Sequence, residues 1–187
     1  MVLTWLASAL LPLLPCTVAD EAMLALPLEQ FDQTQAGWRS IDQDGCEATA
    51  ADAIARYREV NAAVLEGQST STLLWHEGQL RAAAGQNERA IPLMLQRRDE
   101  GTEADQVYVD ATVAFLLRDL AALVAARERL ASLPEPAGFA AAVERYRTSY
   151  PQYPPPTWPP NLDVVDGLLT CFDLPYREAY GCRPSRD

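Results

Sequence analysis

His76 is the only histidine in 187 residues, and the chain contains no lysine at all, so few side chains are available for proton transfer, metal binding or nucleophilic attack. One imidazole cannot build a multi-histidine metal centre. Without lysine there is no Schiff-base nucleophile, phosphate-loop cation or amine general base. Trp75 and Glu77 flank His76 and fall on other sides of a helix, which reads as an ordinary helical position. Cys46 and His76 have no spacing that marks a thiol–base pair. The run Asp42-Gln43-Asp44-Gly45-Cys46-Glu47 begins like a calcium loop. Counted from Asp42, however, cysteine takes the fifth position, glycine comes two places early, and no glutamate closes the twelfth, so a helix-capping turn is the better reading. Glu100, Glu103, Asp105 and Asp110 surround a connection between helices and read as solvated charge. No Gly-x-Ser-x-Gly, glycine-rich phosphate loop or Cys-x-x-Cys is present. The expectation is a non-enzymatic chain with no cofactor and no metal.

The elements that would position these residues are bounded first by composition. With 49% hydrophobic and 22% charged residues the chain suits one globular domain. Its net charge of -11, with fifteen arginines spread singly or in pairs, disfavours nucleic acid and anionic membrane surfaces. Residues 1–19 are uncharged and carry an apolar run over 2–14, too short for a membrane span and suited to an export signal. Thr17-Val18-Ala19 supplies the small residues for cleavage before Asp20. The basic start usual in such a signal is missing, and a buried first helix is the alternative. A lipoprotein reading through Cys16 meets Pro15 where a small residue is wanted. With the signal removed, Cys46, Cys171 and Cys182 remain. Cys171 and Cys182, close in sequence around Pro175 and Gly181, are the favoured bridge and leave Cys46 as a free thiol at a helix start, although three sites also allow other pairings.

Apolar residues recur with helical spacing in three hairpins, over 28–65, 72–99 and 105–132. In the second, Leu73, Leu74 and Leu80 precede Gly85, and Ala90, Ile91 and Met94 follow it. In the third, Val109, Val113 and Leu116 precede Asp119, a good N-cap for the helix of Leu123 and Leu130. Leu133-Pro134-Glu135-Pro136 ends this region. Phe139, Val143, Tyr146 and Tyr150 then step as one more helix, expected to cap the stack. The proline-rich run 151–160 is extended, a stiff strap beneath which Tyr153 and Trp158 would pack; the other reading makes these rings a ligand for an aromatic groove. Leu162, Val165, Leu168, Leu169 and Phe172 mark a last amphipathic helix ending before Pro175.

The pattern Gly45-x₄-Ala50-x₃-Ile54 returns forty residues later as Gly85-x₄-Ala90-x₃-Met94, and more faintly as Asp119-x₄-Val124. With Gly78 this resembles the tetratricopeptide-repeat (TPR) superfamily over roughly residues 28–132. The departures are Trp38 where a small residue is usual, a first interval longer than the family's thirty-four residues, and Val124 in place of the packing alanine in the third repeat. The resemblance implies an all-α, TPR-like solenoid over 20–150, with 151–187 as strap and C-terminal helix packing upon it. It also implies a concave peptide-binding groove lined by Gln35, Arg39, Trp75, Gln79, Val109 and Val113. The lysine and asparagine clamp by which some members hold a terminal carboxylate is absent from these positions. Val109, Val113 and Leu116 would be costly to expose, and the C-terminal helix is expected to fold back over them. The function so implied is protein or peptide binding in a bacterial cell envelope, periplasmic or secreted, with no membrane span once the signal is removed. The alternative is an acidic accessory or inhibitor subunit that binds a basic protein.

Overall fold

The computed structural model describes residues 15–66, 68 and 70–183; the apolar run 2–14 lies outside them. Among the described residues the chain is all-helical, with no strand. The helices are α1 (Glu21–Leu24), α2 (Leu28–Gln33), α3 (Glu47–Val60), α4 (Ala62–Leu65), α5 (Ser71–Ala83), α6 (Asn87–Arg98), α7 (Glu103–Leu116), α8 (Leu120–Ala131), α9 (Phe139–Ser149), α10 (Leu162–Thr170) and α11 (Tyr176–Gly181), with a 3-10 turn at Trp38–Ser40. None is long and apolar enough to cross a membrane.

Helices α5 and α6 pack as a hairpin, as do α7 and α8. A Cβ on Gly78 would lie 2.9 Å from Met94 Cγ, so glycine there lets α5 and α6 approach, with Ala90 and Met94 fully buried behind it. Pro92 sits inside α6 without ending it. Thr102 and Asp105 form a reciprocal capping box on α7, and Asp119 accepts from the Ala122 N–H at 2.9 Å to cap α8. Carboxylates read as solvated are paired in the fold: Asp105 with Arg97 at 3.1 Å, Asp110 with Arg98 at 2.6 Å and Glu103 with Arg129 at 3.1 Å.

The first expected hairpin takes a different form. Its leading helix is replaced by the six residues of α2 and the 3-10 turn, because the chain doubles back there: a Cβ on Gly37 would lie 1.9 Å from Phe31 O. Only α3 is long, and it packs against α5.

Helix α7 is buried on nearly every face, by α6, α8 and α10. Helix α10 lies against α7 and α8, and Arg127 Nε reaches Asp166 at 2.7 Å across that contact. Helix α11 lies against α5. Arg118 donates to the carbonyl oxygens of Phe172 and Leu174 and so holds the loop between α10 and α11. Cys171 and Cys182 are bonded, with Cα atoms 6.4 Å apart. The expectation that α9 caps the stack is not met. The helix forms, but none of its residues is buried, since α10 occupies the face that a cap would cover.

Cys46 is not a free thiol. It is bonded to Cys16, with Cα atoms 5.5 Å apart, and Ala19, Met23 and Leu24 pack on the core beside it. Cleavage after Ala19 would remove Cys16, so that cleavage and this bridge exclude one another.

Candidate functional site

Asp32, at the end of α2, is the hub of a buried polar cluster. Its Oδ1 accepts from the Trp38 indole Nε1 at 3.0 Å and meets His76 Nδ1 at 2.7 Å, while Oδ2 accepts from the Gln33 amide. Burial pushes the Asp32 carboxyl up. The hydrogen bond and charge of His76, then the bonds from Trp38 and Gln33, outweigh it and hold the group below the ordinary carboxylate range. Tyr57 stacks on Phe31 at 3.8 Å and donates to Leu26 O at 2.8 Å; burial, then the charge of Asp32, raises its phenol.

His76 stands on α5, and a second buried network fixes α5 against α3. Arg81, wholly enclosed, reaches Asp52 at 2.6 Å and Glu77 at 3.5 Å, and Glu77 takes Arg58 at 2.6 Å. Buried cations persist only when paired in this way. The tilted Trp38 and His76 rings, 5.2 Å apart, are therefore set from both sides.

Against this cluster opens a cleft of about 410 Å³ between the 3-10 turn, α5 and α11. Arg39 lies over the Trp38 ring at 4.4 Å and donates its Nε to Asp32 O at 2.8 Å, which fixes the guanidinium plane. Gln79, Tyr176 and Tyr180 form the opposite side. Tyr176 is raised by burial and then by Tyr180, and the adjoining Tyr108 is raised well above its ordinary value by burial, then by Tyr176 and Tyr180, so these phenols stay neutral. At the rim Arg177 pairs with Glu47 and, at 2.7 Å, with Asp44. Asp44 and Glu47, of the run read as a capping turn, therefore anchor α11, and Glu47 also accepts from the Gly45 N–H at 3.3 Å.

A carboxylate holding an imidazole Nδ1 is the orienting half of a hydrolytic triad. Among the described residues that line the cleft there is no serine, threonine or cysteine to complete one. What the lining offers is recognition: a fixed guanidinium, an amide, an imidazole and aromatic edges.

Of the six residues expected in a groove, Arg39 and Gln79 meet in this cleft. Trp75 is half-buried on another side of α5, its ring 5.1 Å from Tyr108 and 5.2 Å from the Arg97 guanidinium. Gln35 is exposed in the turn after α2. Val109 and Val113 are buried in the core to which Val164, Val165 and Leu168 of α10 contribute. Sequence reasoning missed Asp32, the two tyrosines of α11 and the pairing of His76. Asp32 lies forty-four residues from His76, and no spacing rule joins them. Compared with protein-family models, curated proteins and solved structures, the chain matches none of them.

Proposed function

We propose that this chain is a peptide-binding helical scaffold of TPR-like arrangement in a bacterial cell envelope, which takes an extended segment of a partner protein into the cleft between the 3-10 turn, α5 and α11. One observation carries the reading. Arg39 and Gln79, from two separate parts of the chain, line one cleft of about 410 Å³ beside an imidazole held by a buried carboxylate. The fixed guanidinium and the amide suit backbone carbonyls or an acidic side chain, and the tyrosine rings suit the apolar parts of a peptide. The periplasmic or secreted location is supported by two cysteine pairs at bonding distance, which an oxidising compartment preserves. The lysine-free, alanine-rich composition supports a GC-rich bacterial source.

Peptides selected from a random display library on the purified oxidised protein provide the test. Their affinity is then measured for the wild type and for Arg39→Ala/Gln79→Ala, with Trp38 emission as a local readout. A loss of about tenfold or more, with little dependence on salt, supports the cleft. The net charge of -11 favours the second reading, an accessory or inhibitor subunit with a basic partner. Under that reading only basic peptides are selected, binding collapses at high salt, and the double substitution leaves it unchanged.

A further inference from the structure

Residues 134–157 leave the body of the fold and return to it at Trp158. The indole Nε1 of Trp158 donates to Leu133 O at 2.9 Å, and its ring meets Phe139 edge-on at 5.6 Å, closing the base of an arm. Helix α9, within that arm, has no buried residue. Beyond it runs Tyr153-Pro154-Pro155-Pro156-Thr157, with residues 154–157 outside any helix or turn. Each proline ring fixes φ near -65°, and every residue that precedes a proline is kept from the helical region, so this run is a polyproline II segment.

Of the two aromatic rings in the run, Trp158 packs inward and Tyr153 does not: Tyr153 is 57% exposed. Polyproline II repeats every three residues, which places Tyr153 and Pro156 on one face, one turn apart. Both are exposed, while Pro155 between them is half-buried against the protein. A connector has no use for an outward tyrosine in register with an outward proline. A recognition ligand does.

We infer that residues 153–156 form a ligand, held ready by the closure at Trp158, for a partner domain whose groove is lined with aromatic side chains and takes polyproline II helices. The stiffness of the prolines and the closure at Trp158 reduce the entropy that a free peptide would lose on docking. This surface is independent of the cleft.

The test titrates the intact oxidised protein against a panel of isolated SH3, WW and EVH1 domains, and separately follows self-association by sedimentation. The comparison set is Tyr153→Ala/Pro156→Ala and a free peptide of residues 150–160. Both substituted side chains are exposed, so the variant's circular dichroism and melting temperature should match the wild type. The expected result is that at least one domain binds the intact protein, that the double substitution weakens it about tenfold or more, and that the free peptide binds several-fold more weakly. Absence of binding across the panel overturns the inference. So does binding that survives the double substitution, or self-association that the substitution abolishes, which would make a second copy the occupant.

Discussion

The two cores of this molecule are built by different chemistry. Around α3 and α5 the apolar residues Phe31, Trp38, Ile54 and Leu73 enclose the charged groups Asp32, Glu77 and Arg81, each tied by directional bonds. Around α7 the interior is Val107, Phe115, Leu123, Leu130, Leu168 and their neighbours, and no charged side chain is buried there among the described residues; its buried polar atoms include the hydroxyl of Thr112, which donates to Tyr108 O at 3.0 Å, and the phenol hydroxyls of Tyr108 and Tyr176. Apolar burial is strong but non-directional, whereas a satisfied buried polar network fixes one arrangement. The apolar core supplies cohesion. The polar core sets the angles of Trp38, Arg39 and His76, and the cleft opens beside that core.

That contrast is breakable at several points. The largest effect is expected in the apolar core: Phe115→Ala should lower stability by about 4 kcal/mol, read by chemical denaturation, with no dependence on pH between 3 and 7. A value near 1 kcal/mol would mean that this core is loosely packed. Removing the crosslink with Cys16→Ser/Cys46→Ser should cost about 3.5 kcal/mol through the freedom it returns to a thirty-residue loop in the unfolded chain. Intact-mass analysis of the protein isolated from its native source tests the same bridge directly: a chain that begins at Asp20 with one free thiol would show that the bridge does not survive maturation.

In the polar core, Asp32→Ala leaves the Trp38 and Gln33 donors and His76 without their acceptor and should cost about 3 kcal/mol. Here pH matters. The folded-state pKa of Asp32 lies below its unfolded value, so its contribution is complete above about pH 4 and is lost as pH falls through the folded value. The gap between wild type and variant should therefore narrow below pH 4; a constant gap would remove Asp32 as the source. The smallest effect is expected on α9, which belongs to neither core: Val143→Ser should change stability by less than about 0.5 kcal/mol.

The same contrast explains what could be read from the sequence. Helices α5 to α8 and α10 were legible because their burial is periodic: Leu73, Leu80, Ala90 and Met94, then Val109, Val113 and Leu116, mark the buried faces without knowledge of their neighbours. The bond between Cys171 and Cys182 was legible from eleven residues of separation around turn-forming positions. The N-terminal core was not legible. Asp32 in Glu29-Gln30-Phe31-Asp32-Gln33 looks like a solvated acid, and only the fold brings it to Trp38 and His76. Cys16 was assigned to a discarded leader, which left Cys46 without its partner. Phe139, Val143 and Tyr146 gave the right helix and the wrong role, because periodicity shows that a face is apolar and says nothing of what covers it.

The central claim is that the cleft beside Asp32 and His76 is the working surface. Its most direct test is the affinity of a display-selected peptide for the wild type and for Arg39→Ala/Gln79→Ala, measured by calorimetry at low and high salt on proteins with matching circular dichroism. A loss of about tenfold or more in the variant at both salt concentrations is the expected result. Equal affinity for the two proteins would contradict the claim and move the binding surface elsewhere on the molecule.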